Sequence, residues 1–498
     1  MTSDTPQPTS DAPHGTVDEF DLVVIGAGPV GENIADRAVQ GGLTAAVVES
    51  ELVGGECSYW ACMPSKALLR APMAIRAARD LPGAAQAVTG GIDVAALLAH
   101  RDSVTSGWDD HGQVQWLEGA GITLVRGHGR LSGEREVSVT APDGSVRVLR
   151  ARAAVAVATG TTAVVPDVPG LRAAAPWTSR EATSAEVVPT RLVIVGGGVV
   201  ACEMATAYAG LGSSVTLLAR SGLLAPFEPF AGDLVGDSLR SLGVDVRLGG
   251  SPASVERRAD GTVAVTLESG EVLEADEILA ATGRAPHTRD LGLETVGLEP
   301  GSSLTVDDTM LVLGDDGAPI GGDAPWLYGV GDVNHRALLT HQGKYQARAA
   351  GDVIVARSAG AAVHDAPWGA HVATADHEAV PQVVFTDPEV ASVGLTAAAA
   401  EKAGYRTRVV DYEIGSVAGA TLAAVGYTGT ARMVVDEDRS VVLGVTFVGK
   451  EVGELVHSAT IAVVGEVPLS RLWHAVPSYP TISEVWLRLL ETYGRESA

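Results

Sequence analysis

Cysteine is scarce, with three residues in a chain of 498. That is too few for the disulfide framework of an extracellular protein, and it points to a reducing compartment. Basic residues are also short. Lys and Arg total 35 against 61 Asp and Glu, a net charge of −26, which repels nucleic acid and anionic membrane surfaces and excludes both as expected partners. No uninterrupted apolar run reaches membrane-spanning length. The opening MTSDTPQPTSDAPHGTVDEF lacks the basic and apolar regions of an export signal and reads as a disordered acidic tail to about residue 18. These absences together lead us to expect a soluble cytoplasmic protein. Apolar residues, at 46%, are plentiful, and the length suits about three domains of ~150 residues each.

Two of the three cysteines, Cys57 and Cys62, stand together in GGECSYWACMPSKALLR. The run after Cys62 has helical spacing, with Pro64 suited to a first turn, so the pair is expected at a helix N-terminus, where the macrodipole stabilises a thiolate. Five residues apart on a regular helix, two Cα atoms would be roughly 8.6 Å apart, beyond the ~7 Å that a disulfide tolerates. A bond therefore requires a distorted first turn, and such strain suits a disulfide that opens and closes. No second cysteine pair or histidine cluster completes a tetrahedral site, so no metal is expected. Cys202 reads as a small buried packing residue.

The stretch DLVVIGAGPVGENIADRAVQGG is a buried-strand pattern, then Gly26, Gly28 and Gly31, then a helical run. This is the strand–turn–helix arrangement that brings backbone N–H groups close to a pyrophosphate. The next strand, TAAVVES, ends at Glu49, where a carboxylate accepts from a ribose. A second copy follows in RLVIVGGGVVACEMATAYAGLGSSVTLLAR, with Gly196, Gly198 and Ala201 in the three positions. Its second strand ends at Ala219 followed by Arg220, so the ribose-binding acid is missing while a guanidinium is available for a 2′-phosphate. NADPH is favoured over NADH, with a solvated surface arginine as the other reading. Two such folds mean two cofactors, or one cofactor and a relic of duplication.

GGECSYWACMPSK resembles the GG-x-C-x-x-x-x-C-x-PSK signature of the flavin-dependent pyridine nucleotide-disulfide oxidoreductases, which include dihydrolipoamide dehydrogenase, glutathione reductase and mercuric reductase. The resemblance continues through AVATGTTAVVPDVPG, ATGRAPHT, LYGVGDVNHRALLTHQGKYQA and VPQVVFTDPEVASVGLT. It implies an α/β fold with two Rossmann-like dinucleotide-binding domains and a C-terminal α+β dimerisation domain. It also implies FAD on the first glycine turn, with Glu49, Gly55, Thr159, Gly160, Gly331 and Asp332 around it. NAD(P)H would lie on the second turn, with Gly283 and Arg284 nearby. Cys62 would be the thiol nearest the flavin and Cys57 the outer, exchanging thiol. Lys66 and Glu203 would form the family's ion pair beside the flavin.

The expected organisation is an FAD domain over residues 19–165 and 297–365, a nucleotide domain inserted over 166–296, and an interface domain over 366–498, in a homodimer. In that last domain YRTRVVDYEIG and TGTARMVVDEDRSVVLGVTFVG read as strands, with DEDR making a turn. One departure stands out. Relatives carry a His-Pro-Thr-x-Ser-Glu run near the C-terminus; here it is YPTISE, so Tyr479 occupies the histidine position and Glu484 keeps its own. A phenol, with an unperturbed pKa of about 10, is a poor base at neutral pH. His474 and His341 are the histidines to consider in its place, and Tyr59 and Trp60 in the cysteine loop are unusual. The C-terminal cysteine pair of mercuric reductases is absent. The expected activity is therefore electron transfer from NAD(P)H through FAD and a Cys57–Cys62 disulfide to a disulfide substrate. The alternatives are a quinone or diaphorase-type acceptor, or a redox-sensing flavoprotein with little turnover.

Overall fold

The computed structural model describes residues 17–494, and the chain forms two compact units, each assembled from three segments. The first comprises the chain up to Gly55, Asp110–Gly160 and Pro286–Ala373. Its centre is a seven-stranded sheet. Strand Val17–Ile25 lies between Ala45–Glu49 and Val146–Val157, parallel to both, with Val23 opposite Ala46 on one side and Val155 on the other. Leu22, Val23, Val24 and Ile25 are all buried, as a parallel strand covered on both faces requires. Helices Pro29–Gln40 and Thr340–Ser358 pack against one another in this unit. The expected tail falls, up to residue 16, outside the described residues. Val17 and Asp18 correct its boundary, because they already pair with Val148 and Leu149 in the ladder.

The second unit comprises Glu56–Asp109, Thr161–Ala285 and the chain from Thr374. It holds a four-stranded parallel sheet in the order Asp245–Leu248, Ser214–Ala219, Arg191–Val195, Glu277–Ala280, and a three-stranded antiparallel sheet, Pro252–Arg257, Val263–Leu267, Val272–Ala275. A five-stranded antiparallel sheet lies near the C-terminus; in it Thr407–Glu413 pairs with Thr430–Asp436, which pairs in turn with Val441–Gly449. The expected strands and their DEDR turn are present. Helix Cys62–Arg79 packs on helix Val199–Gly210. The far end of the cysteine helix is fastened to the C-terminal region: Arg76 pairs with Asp387 at 2.9 Å, and Lys450 with Asp80 at 2.6 Å. Among the described residues no helix is long and apolar enough to cross a membrane.

In the first unit, Glu32 is buried on helix Pro29–Gln40 and one of its oxygens has no hydrogen-bond partner. Burial pushes its carboxyl from the ordinary 4.5 up to about 7, against the pull of Lys344 and with a further push from Glu49. The folded chain therefore keeps a proton that the unfolded chain has lost. Stability contributed here is full below about pH 4.5 and falls as pH rises to about 7, by up to ~3 kcal/mol. Glu32→Gln is expected to stabilise the protein by ~2–3 kcal/mol at pH 8 and by less than ~1 kcal/mol at pH 5, read by denaturant unfolding at the two pH values.

Candidate active site

Strand Val17–Ile25 runs into Gly26, whose φ of +100° only glycine adopts readily. A Cβ on Gly31 would lie 1.9 Å from the Gly26 carbonyl oxygen, so the chain's own packing demands that glycine. Gly28 differs. Its φ is an ordinary −72°, and the nearest atom to a Cβ there would be the Gly55 Cα at 3.9 Å. Nothing in the protein forbids a side chain at Gly28, yet the position is bare and sits at the start of a helix. That space fits a pyrophosphate approached by backbone N–H groups.

The surrounding residues of the first unit suit the same group. Glu49 accepts from the Ala27 N–H through Oε2 and from the Glu51 N–H through Oε1, both at 2.8 Å, which fixes the carboxylate beside the turn. The Thr159 hydroxyl, adjacent to Gly26, is buried with no hydrogen-bond partner. Gly160 follows it, its carbonyl accepting from the His287 N–H. Gly331 packs on Val30 of the glycine turn, and its N–H donates to the buried Gln346 at 2.7 Å. This brings the turn carrying Asp332 beside the first glycine turn. An orphaned hydroxyl, a bare glycine and a fixed carboxylate are what a bound dinucleotide would complete.

The second unit repeats the pattern. A Cβ on Gly196 would lie 2.1 Å from the Ala281 carbonyl oxygen, whereas a Cβ on Gly198 would meet nothing within 4 Å. Ala201, in the third position, is fully buried. Arg220 follows the last residue of Ser214–Ala219 and is exposed. Gly283 accepts from the Val164 N–H. Arg284 turns to the chain itself, bonding Thr161 Oγ1 at 2.7 Å and Glu56 Oε2 at 2.5 Å.

The cysteines do not share one helix. Cys57 lies in the short helix Gly55–Tyr59, the backbone breaks at Ala61 (φ −134°, ψ −95°), and Cys62 is the first residue of helix Cys62–Arg79. The distortion expected within a first turn is thus a full break between two helices, with Tyr59 buried just before it. One turn along the second helix, Lys66 Nζ reaches Glu203 Oε2 at 2.8 Å. Glu203 is only 3% exposed, and its other oxygen accepts from the Phe385 N–H at 2.9 Å. Lys66 Nζ also lies 4.7 Å from the centre of the Phe385 ring, a cation–π contact. Both oxygens of the buried carboxylate are satisfied, and the ammonium stays partly open. Cys202 is fully buried and burial pushes its thiol up to about 12, which makes it inert.

Near the C-terminus Tyr479 is 76% exposed. Glu484 is buried and pairs with Arg488 at 2.5 Å through Oε1, while its Oε2 is buried without a hydrogen-bond partner. The carboxylate that keeps its place in the YPTISE run is therefore held by an arginine one helical turn on. His474 and His341 are exposed. Phe385 was missed from the sequence, although VVFTDPE carried part of the resemblance.

Residues 20–360 match the model of the pyridine nucleotide-disulphide oxidoreductases, and residues 380–489 match that of their dimerisation domain. The chain belongs to this family. It is 33% identical to a mercuric reductase of Acidithiobacillus ferrooxidans, covering 98% of this chain and 86% of that protein. It is 31% identical to a glutathione reductase of Burkholderia cepacia, covering 95% and 98%, and 32% identical to a dihydrolipoyl dehydrogenase of Thermus scotoductus, covering 96% and 98%. The fold is shared with the flavoprotein disulfide reductase RclA of Escherichia coli at a TM-score of 0.79 and 21% identity, over 95% of this chain and 99% of that one. As a member of the family the protein is a flavin-dependent oxidoreductase that uses FAD and NAD(P)H and acts on sulfur groups. Its two Rossmann-like folds and C-terminal dimerisation domain are those expected.

The two kinds of glycine separate in a mutant series. Gly28→Ala and Gly198→Ala are expected to leave the unfolding midpoint of the cofactor-free protein unchanged but to weaken FAD and nicotinamide binding respectively by about tenfold or more, through the lost close approach. Gly31→Ala is expected to lower stability itself, by ~1–3 kcal/mol or more. Flavin retention, nicotinamide titration and unfolding midpoints check the three.

Proposed function

We propose that the protein is a homodimeric disulfide reductase that takes two electrons from NADPH and delivers them, by way of Cys57 and Cys62, to a small disulfide. The observation that carries this reading is the helix that begins at Cys62 and presents Lys66 to a buried, fully bonded Glu203. Such a helix start favours thiolate at Cys62, and Glu203 fixes the position of the ammonium. Bound FAD supplies the two-electron relay between nicotinamide and sulfur.

The Cys57 thiolate attacks one sulfur of the acceptor disulfide, whose S–S bond breaks, and the departing thiolate takes a proton. The Cys62 thiolate then attacks the Cys57 sulfur, releasing the acceptor's second half, which also takes a proton, and leaving a Cys57–Cys62 disulfide. The hydride of NADPH and one proton return that disulfide to the dithiol. At neutral pH a phenol donates a proton more readily than it accepts one. A phenol is also a weaker acid than a thiol, so Tyr479 suits donation of a hydrogen bond to the acceptor rather than transfer of its proton, and the departing thiolates take their protons from water.

The exposed Arg220 at the end of its strand supports NADPH, since a guanidinium pairs with a 2′-phosphate and no acid stands there for a free ribose. Arg220→Glu is expected to lower kcat/KM for NADPH by about tenfold or more while sparing NADH.

The lost imidazole and the capture of Glu484 by Arg488 favour a second reading, in which the flavin reduces a quinone directly. Two measurements separate the readings. Anaerobic NADPH should expose two newly alkylatable thiols per chain, at Cys57 and Cys62; reduced flavin with no new thiols would overturn the disulfide route. Cys57→Ser with Cys62→Ser should abolish disulfide reduction, and quinone reduction that survives unchanged as the one fast activity would make the second reading the correct one.

A further inference from the structure

The segment between the two sulfurs is gripped from outside at both of its ends by one side chain. Arg180 Nε donates to Glu56 Oε1 at 2.6 Å, immediately before Cys57. The same guanidinium lies 4.3 Å from the centre of the Trp60 ring, two residues before Cys62. The other Glu56 oxygen accepts from Arg284 at 2.5 Å. The carbonyls of the loop are held as well: Trp108 Nε1 donates to Tyr59 O at 3.1 Å, and the Thr183 hydroxyl lies 2.9 Å from Trp60 O.

Arg180 itself stands on a braced element. Its helix, Ser179–Ser184, is closed at the N-terminus by a capping box of Thr178 and Glu181. At the other end the buried Arg101 donates to the carbonyls of Thr183 at 2.6 Å and Ala185 at 3.0 Å. A charge-assisted hydrogen bond and a cation–π contact thus meet in one guanidinium, on a helix hydrogen-bonded at both ends.

We propose that Arg180 is a positioning residue for the dithiol, using Glu56 and Trp60 as handles to hold the loop so that Cys57 and Cys62 readily close on each other. This rests on the disulfide route described above. The half-reaction is the Cys57–Cys62 disulfide plus two electrons and two protons giving two thiols. Releasing the clamp frees the loop most in the dithiol state, where no S–S bond restrains it, so disulfide formation becomes less favourable and the couple more oxidising.

The test equilibrates the flavin-loaded protein in dithiothreitol and glutathione redox buffers and counts alkylated Cys57 and Cys62 by mass spectrometry. Arg180→Gln and Trp60→Leu are each expected to lower the equilibrium constant for forming the disulfide about tenfold, or ~30 mV towards oxidising. Arg180→Lys, which keeps the charge beside Glu56 but loses the planar stack, should fall between. Arg258→Gln, which removes a surface pair with Glu274, should leave the potential unmoved. A folded, flavin-loaded Arg180→Gln or Trp60→Leu protein with the wild-type potential overturns the clamp and leaves the disulfide route standing. Failure of the wild type to form a Cys57–Cys62 disulfide in any buffer overturns both.

Discussion

The arrangement around the sulfurs depends on one buried charge. Glu203 sits in a helix whose residues Ala201 to Tyr208 are all buried, and an ionised carboxylate taken out of water costs several kcal/mol unless it is paired and hydrogen-bonded. The chain offsets that cost from two directions, with Lys66 on one oxygen and the Phe385 N–H on the other. Each partner comes from a distant part of the sequence. Satisfying the carboxylate therefore fixes the cysteine helix against the nucleotide-binding sheet's own helix and ties in the start of the C-terminal region. Stability and chemistry are joined here, because the group that must be neutralised for the helix to be buried is the one that orients the ammonium.

The two glycine turns show a different division. In each, one glycine answers to the chain's own carbonyl oxygens, while at another an added Cβ would meet nothing closer than 3.9 Å. At Arg220 and Tyr479 the local chemistry changes without any change of fold. Arg220, just after strand Ser214–Ala219, and Tyr479, in YPTISE, are both exposed, so neither side chain is called for by the packing of the core.

The turns, their flanking strands and the Lys66–Glu203 pair were legible because their signals are local or carried by motif: glycine spacing after a buried run, helical spacing after Cys62. The break at Ala61 was not. A five-residue helix followed by a break at one residue has no period of its own. Glu56, Arg180 and Phe385 were invisible for a related reason. The Arg180–Glu56 contact spans 124 residues and the Phe385–Glu203 bond 182, distances over which a single sequence carries no pairing signal. Arg284, read as a cofactor ligand from its motif, has an ion-pair partner in Glu56 that only the fold reveals.

The cysteine helix is pinned at its start through Lys66 and at its far end through Arg76 and Asp80. At 18 residues it spans roughly 27 Å, with Pro72 inside it. Both partners at its far end, Asp387 and Lys450, lie in the stretch that matches the dimerisation domain, so the helix that opens with Cys62 is anchored there as well as at Glu203.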